Sequence, residues 1–164
     1  MQVLRQSAAI VLTLASALAA GWVAFQLQEQ ETLPRFFFPL IFPLLVGAVV
    51  GGLSAAVFRW LATATRYWPF AAAGLAGLTV VLSQSWFSYR YYTADRERQI
   101  AGNPLATMAA QHADGFGHVP MHRFIAAQID RSGGWWLADA GLTVAASILS
   151  GWLWTSSFHL KTEV

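Results

Sequence analysis

Long uninterrupted runs of apolar residues dominate the chain and recur four times. Three stretches, 6–28, 36–58 and 67–89, each hold 23 residues without an Asp, Glu, Lys or Arg. A fourth stretch, 135–158, contains Asp139 near its start and 19 uncharged residues after it. A hydrocarbon core about 30 Å thick requires roughly 20 apolar residues at about 1.5 Å per residue. The pattern therefore predicts four transmembrane segments.

These segments are predicted to be α-helices, because lipid offers no hydrogen-bond partner to a free backbone N–H or C=O. Four short segments also cannot close a β-barrel. We therefore expect an all-α integral membrane protein. Residues 1–164 would form a single membrane domain in which four helices pack as a bundle within the lipid bilayer.

The first segment shares one feature with secretory signal peptides. Arg5 precedes an apolar run that contains the A-x-A pattern Ala17-Leu18-Ala19. The run continues past this pattern through Phe25, to the full length of a membrane span, whereas signal-peptide apolar regions hold about 7–15 residues. We therefore expect a retained anchor rather than a cleaved leader.

The distribution of Lys and Arg gives conflicting indications of orientation. With the N-terminus inside, four basic residues are cytoplasmic and six lie outside, the reverse of the usual bias. First-helix flanks and short loops carry more weight, and here Arg5 precedes the first helix, Glu29 follows it, and a short connection joins Arg59 to Arg66. We expect a bacterial inner-membrane protein with both termini cytoplasmic and the connection 90–134 on the outer side.

Small residues four positions apart recur in every predicted span. The pairs are Ala15/Ala19, Gly47/Gly51, Ala73/Gly77, Gly141/Ala145 and Ser147/Gly151. Because lipid tails are as apolar as leucine, helices in a membrane associate chiefly where small residues let their backbones approach. The pairs predict close helix packing, and the sequence leaves open whether each partner helix belongs to this chain or to another protein.

The connection 90–134 holds half of the charged residues and three of the four histidines. Asn103-Pro104 is a favourable helix start, and Pro120 is another. After the second start, apolar residues recur at helical spacing: Met121, Phe124, Ile125 and Ile129. We therefore expect two short amphipathic helices that lie on the membrane surface or over the mouth of the bundle.

A cluster of candidate metal ligands lies between and at the start of these helices, namely His112, Asp114, His118 and His122. Imidazole and carboxylate groups are ligand types of zinc and other divalent ions. The spacing H-x-D-x3-H-x3-H, however, matches no established motif such as H-E-x-x-H. The alternatives are a divalent-metal site formed by these residues, a solvated loop with Asp114 and Gly115 in a turn, and a pH response of His118 and His122.

Composition excludes several function classes. The 164 residues include no cysteine, which removes disulfides, thiolate metal sites and cysteine nucleophiles. The net charge is only +2 and the basic residues are scattered, so nucleic-acid binding is not indicated. No P-loop, G-x-S-x-G or G-x-G-x-x-G fingerprint is present.

Ionisable groups at membrane depth mark proton relays, ion paths and voltage sensors, and three spans contain none. We expect Asp139 within two turns of its helix start, where the helix dipole tolerates a carboxylate. The other polar groups of the spans are hydroxyls and amides, mostly near helix ends, such as Ser54, Thr79, Ser83, Gln84 and Ser85.

We therefore expect a non-catalytic accessory or scaffold subunit, not an enzyme, without a cofactor. It would pack against other membrane proteins or against copies of itself. The first alternative is a metal-binding or metal-dependent membrane protein that uses the 112–122 loop. The further alternative is a small passive channel or transporter lined by hydroxyls and amides.

Overall fold

The computed structural model describes residues 2–29, 41–61, 68–102, 119–132 and 134–159. Five helices account for nearly all of them: α1 (Gln2–Glu29), α2 (Ile41–Trp60), α3 (Trp68–Ala101), α4 (Met121–Ser132) and α5 (Trp135–His159). Within these ranges there is no β-strand, which confirms the all-α class for the part of the chain described. By length and composition, α1, α2, α3 and α5 are candidate membrane spans, as predicted.

Helix α3 extends well beyond the apolar run that predicts it. The predicted span ends at residue 89, whereas the helix continues to Ala101. The added segment contains no Gly or Pro before Gly102, and the Gln99 side chain donates a 2.7 Å hydrogen bond to the Asp95 carboxylate one turn earlier. The uncharged apolar run therefore ends before the helix does. The first part of the connection predicted at 90–134 is helical.

A fifth helix, α4, stands where the sequence predicts the second connection helix. The Pro120 carbonyl accepts hydrogen bonds from the Arg123 and Phe124 N–H groups at 3.0 and 3.2 Å. Phe124 is buried, whereas His122 and Arg123 are exposed. The first connection helix, predicted after Asn103, falls outside the described residues.

Two glycines bring α2 into backbone contact with α5. A Cβ added at Gly47 would overlap the Thr143 carbonyl and lie 2.8 Å from the Ala146 Cβ. A Cβ added at Gly51 would overlap the Ser147 carbonyl. Because any larger residue would separate the two backbones, the pair Gly47/Gly51 serves packing within the chain.

Helix α3 meets α5 through two further pairs of small residues. A Cβ added at Gly77 would lie 3.0 Å from the Ser147 Cβ, and one added at Gly151 would lie 2.8 Å from the Ala73 Cβ. The Ser147 hydroxyl donates a 2.6 Å hydrogen bond to the Ala73 carbonyl. Three of the five predicted pairs thus meet around Ser147.

Helix α1 packs mainly along α3. Gly21 lies against the Ser83 side chain, and the Phe25 ring centroid is 6.1 Å from that of Phe87 and 6.0 Å from that of Tyr91. One buried cluster joins residues of α1, α2 and α3, namely Ala17, Val50, Ala76 and Val80. Small and branched apolar side chains therefore fill the space between these helices.

Large apolar side chains cover the outside of the four long helices. Exposed examples are Leu18, Trp22, Val49, Leu53, Leu78, Leu82, Leu149 and Leu153. Soluble monomers rarely expose apolar patches larger than a few hundred Å², whereas hydrocarbon solvates such a surface without penalty. The exposed surface is that expected of helices surrounded by lipid.

Candidate functional site

Aromatic contacts hold α4 against α3. The Phe124 ring packs edge-on against Tyr89 at a centroid distance of 5.6 Å and lies 5.4 Å from the Tyr92 ring. The Tyr89 hydroxyl donates a 2.9 Å hydrogen bond to the Val119 carbonyl, two residues before α4 begins. Aromatic pairs contribute about 0.5–1.5 kcal/mol each beyond the area they bury. These contacts fix α4 beside the Tyr89–Tyr92 turn of α3.

A tight turn ties α4 to α5 as well. Gly134 has a φ of +89°, a left-handed backbone conformation that favours glycine. Its carbonyl accepts hydrogen bonds from the Leu137 and Ala138 N–H groups at 3.0 and 3.2 Å. The Ser132 hydroxyl accepts a 3.3 Å hydrogen bond from the Trp136 N–H, which has no partner within α5. Helix α4 is therefore attached to both neighbouring helices.

A polar hollow of about 220 Å³ lies between α3, α4 and α5. Each helix contributes residues spaced three or four positions apart, which share one helix face. The lining residues are Val81, Gln84, Ser85 and Ser88 of α3, Phe124, Ile125 and Gln128 of α4, and Trp136, Asp139 and Ala140 of α5. One carboxyl group, two amides and two hydroxyls thus line a single space.

Among the residues that line the hollow, Asp139 alone is ionisable. It is the fifth residue of α5, within two turns of the helix start as predicted. The Thr143 hydroxyl donates to the backbone carbonyl of Asp139 at 3.0 Å. Of the residues that the structure describes, none donates a hydrogen bond to the Asp139 carboxylate or forms an ion pair with it.

The amides of the hollow are also available to a ligand. Within the described ranges, neither Gln84 nor Gln128 forms a side-chain hydrogen bond. The Ser85 hydroxyl differs, because it donates a 2.9 Å hydrogen bond to the Val81 carbonyl of its own helix. The carboxylate, the two amides and the Ser88 hydroxyl are therefore groups that could contact a bound molecule.

Several hydroxyls elsewhere in the spans donate to backbone carbonyls of their own helix. Ser54, Thr79 and Ser83 donate to carbonyls of their own helices at 2.7, 2.8 and 2.8 Å. The Thr13 hydroxyl is buried and has no hydrogen-bond partner among the described residues.

The predicted metal ligands lie mostly outside the described residues. His122 is described and exposed, at the second position of α4, whereas His112, Asp114 and His118 fall outside. Among the residues that are described, no group of three or more His, Cys, Asp or Glu could hold a metal ion. The four-residue metal site stays a prediction.

Sequence reasoning singled out Gln84, Ser85 and Asp139 but did not connect them. A usable signal was present, because Gln84, Ser85 and Ser88 share one face of α3 near the end of its apolar run. The position of Gln128 in the hollow could not be predicted from the sequence, because it depends on how Phe124 packs α4 against α3.

Four candidate spans and an apolar exterior make the chain a multi-pass membrane protein by composition. No protein-family model, curated protein or solved structure matches it.

Proposed function

We propose that this protein is a non-catalytic accessory or scaffold subunit, a four-helix membrane bundle that packs against other membrane proteins. The observation that carries the proposal is that the five pairs of small residues differ in burial. Three pairs meet inside the chain around Ser147. The other two pairs, Ala15/Ala19 and Gly141/Ala145, face outward.

The outward face of α5 is the stronger of the two candidate docking faces. Gly141 and Ala145 are both exposed, and a Cβ added at Gly141 would meet no described atom within 4 Å. In the apolar 18-residue stretch that makes α5 a candidate span, only 17% is buried inside the protein. The corresponding shares in α1, α2 and α3 are 33%, 50% and 44%. Helix α5 therefore has more surface left for a partner than any other span.

A face of small residues promotes helix association in a membrane because it lets two backbones approach closely. Helices in lipid gain little from apolar burial, so van der Waals contact at small residues supplies much of their association. Glycine is also less favourable than alanine in a helix by about 1 kcal/mol, which a packing contact at Gly141 would offset. A transmembrane helix of another protein is the partner that fits these requirements.

The described interior favours packing over conduction. Ser54, Thr79 and Ser83 donate to their own helices, and small apolar residues fill the space between α1, α2 and α3. A passive channel and a metal-dependent protein remain the alternatives, and no observation among the described residues favours either.

The test compares two exposed alanines in complexes isolated from native membranes. We expect native mass spectrometry of the protein in mild detergent to detect assemblies heavier than the 17.9 kDa chain. Ala145→Leu should reduce their abundance about tenfold or more, because overpacking at an interface costs about 1–3 kcal/mol. Ala71→Leu, at an exposed alanine of α3 outside both outward pairs, should leave it unchanged.

Two results contradict the proposal. One is a protein that is only ever monomeric after mild extraction. The other is an equal loss of assemblies in Ala145→Leu and Ala71→Leu, because the α5 face would then have no particular role.

A further inference from the structure

The hollow between α3, α4 and α5 combines a carboxylate with neutral hydrogen-bond acceptors and aromatic walls. We propose that it binds a small ammonium group, carried either by the headgroup of a lipid or by a free amine. This ligand site is separate from the outward face of α5 that the proposed partner would cover.

The charge of the hollow selects a cation. Asp139 lines it, and the other lining residues include no Lys, Arg or His. Within the described chain, the Asp139 carboxylate lacks both a hydrogen-bond donor and a counter-ion. A partly buried carboxylate is stabilised when an ionised donor pairs with it, and such charge-assisted hydrogen bonds are about twice as strong as neutral ones.

The remaining walls suit an N–H donor better than a bare metal ion. An ammonium group has three N–H donors, and the oxygens of Gln84 and Gln128 can accept two of them while the carboxylate accepts the third. Trp136 also lines the hollow, and aromatic faces attract cations. A calcium ion instead prefers about six to eight oxygen ligands, several of them carboxylates.

Size and position limit the ligand further. The volume of about 220 Å³ is smaller than that of sites for drug-sized ligands, which span about 300–1,000 Å³. Asp139 lies only four residues after the start of α5, close to the end of a candidate span. Two kinds of ligand could therefore place an ammonium group in the hollow. One is a lipid with an ethanolamine headgroup, and the other is a small amine that enters from water.

The free-amine arm of the test uses the full chain in detergent and an amine-free buffer. Equilibrium dialysis measures binding of radiolabelled ethanolamine, with 1,2-ethanediol as a neutral probe of similar size. We expect saturable binding of ethanolamine alone. Asp139→Asn should weaken it about tenfold or more, because the hydrogen bond loses its ionised acceptor. Asp139→Glu should retain part of the affinity, and Asp130→Asn, at an exposed carboxylate of α4, should leave it unchanged.

The lipid arm uses nanodiscs with equal amounts of phosphatidylethanolamine and phosphatidylglycerol, and native mass spectrometry identifies the lipids that stay bound. If phosphatidylethanolamine is enriched and the enrichment disappears in Asp139→Asn, the ammonium group belongs to a lipid. If ethanolamine binds but phosphatidylethanolamine is not enriched, the ligand is a free amine. Gln128→Leu gives a second measurement on a helix outside the four spans, and it should weaken whichever ligand binds. The proposal is overturned if neither ligand binds, or if Asp139→Asn and Asp130→Asn bind as the unmodified chain does.

Discussion

The Ser147 hydroxyl of α5 donates a 2.6 Å hydrogen bond to the Ala73 carbonyl of α3, between two residues that are each 0% exposed. Because the acceptor is a backbone oxygen, the bond requires no second polar side chain between the helices. Gly51 of α2 and Gly77 of α3 lie against the same serine. Three helices therefore depend on the volume available at one residue.

Replacing Gly51 by alanine should destabilise the folded protein. The added Cβ would overlap the Ser147 carbonyl, a backbone atom that cannot move without shifting α5. Overpacking of this kind costs about 1–3 kcal/mol. We expect Gly51→Ala to lower the free energy of unfolding by that amount, measured by denaturant titration in detergent micelles.

Gly141→Ala is the matched control for this substitution. A Cβ at Gly141 meets no described atom within 4 Å, and alanine favours helix by about 1 kcal/mol over glycine. The free energy of unfolding should stay the same or rise. Equal destabilisation by the two variants would show that the contact with Ser147 is not the cause.

Removing the Ser147 hydroxyl should have a smaller effect than adding a methyl group at Gly51. Ser147→Ala keeps the small volume that Gly51 and Gly77 require and deletes only the hydrogen bond to Ala73. Hydrogen bonds between membrane helices average about 0.6 kcal/mol, with a maximum of about 1.7 kcal/mol. We expect a loss within that range in the same titration. A loss larger than that of Gly51→Ala would contradict this ranking.

The four long helices were predictable because a membrane span depends on composition over about 20 residues, not on tertiary contacts. The use of the small-residue pairs was not predictable. Gly47/Gly51 and Gly141/Ala145 have the same spacing in the sequence, yet the first pair is buried against α5 and the second is exposed. Which pair turns inward is decided by how whole helices pack, and a local pattern does not contain that information.

The hollow illustrates the same limit. Asp139 and Gln84 are 55 positions apart in the sequence, and Gln128 joins them only because Phe124 seats α4 beside Tyr89 and Tyr92. Among the described helices, periodicity in the sequence predicted an apolar face for α4. It predicted neither the relative rotation of the helices nor the docking of α4.

Truncating Phe124 should release α4 from α3. Phe124 is buried between the rings of Tyr89 and Tyr92, and replacing a buried Phe by Ala costs about 3–5 kcal/mol. We expect amide hydrogen exchange in α4 to accelerate about 100-fold or more in Phe124→Ala, while α2 exchanges as before.

Trp135→Ala is a suitable control for the Phe124 experiment. Trp135 is another aromatic residue near α4, but it is 60% exposed. Its truncation should leave exchange in α4 nearly unchanged. If Phe124→Ala also leaves α4 protected, the aromatic contacts do not hold the helix in position.

We expect the histidine-containing loop to hold no tightly bound zinc. His122 is exposed, and the spacing of His112, Asp114, His118 and His122 matches no known metal motif. Elemental analysis of protein prepared without chelators should find less than about a tenth of a metal ion per chain, since structural sites bind tightly enough to survive purification. Near-stoichiometric zinc that is lost in His118→Ala would instead support the metal-binding alternative.

The orientation can be measured because the chain has no cysteine of its own. With both termini cytoplasmic, Ala113→Cys lies in the outer connection and should react with a membrane-impermeant maleimide in intact cells. Ala64→Cys lies in the short connection between Arg59 and Arg66, and it should react only after the cells are permeabilised. The reversed labelling pattern would place the N-terminus outside. The total count of Lys and Arg would then outweigh the first-helix flanks in setting the topology.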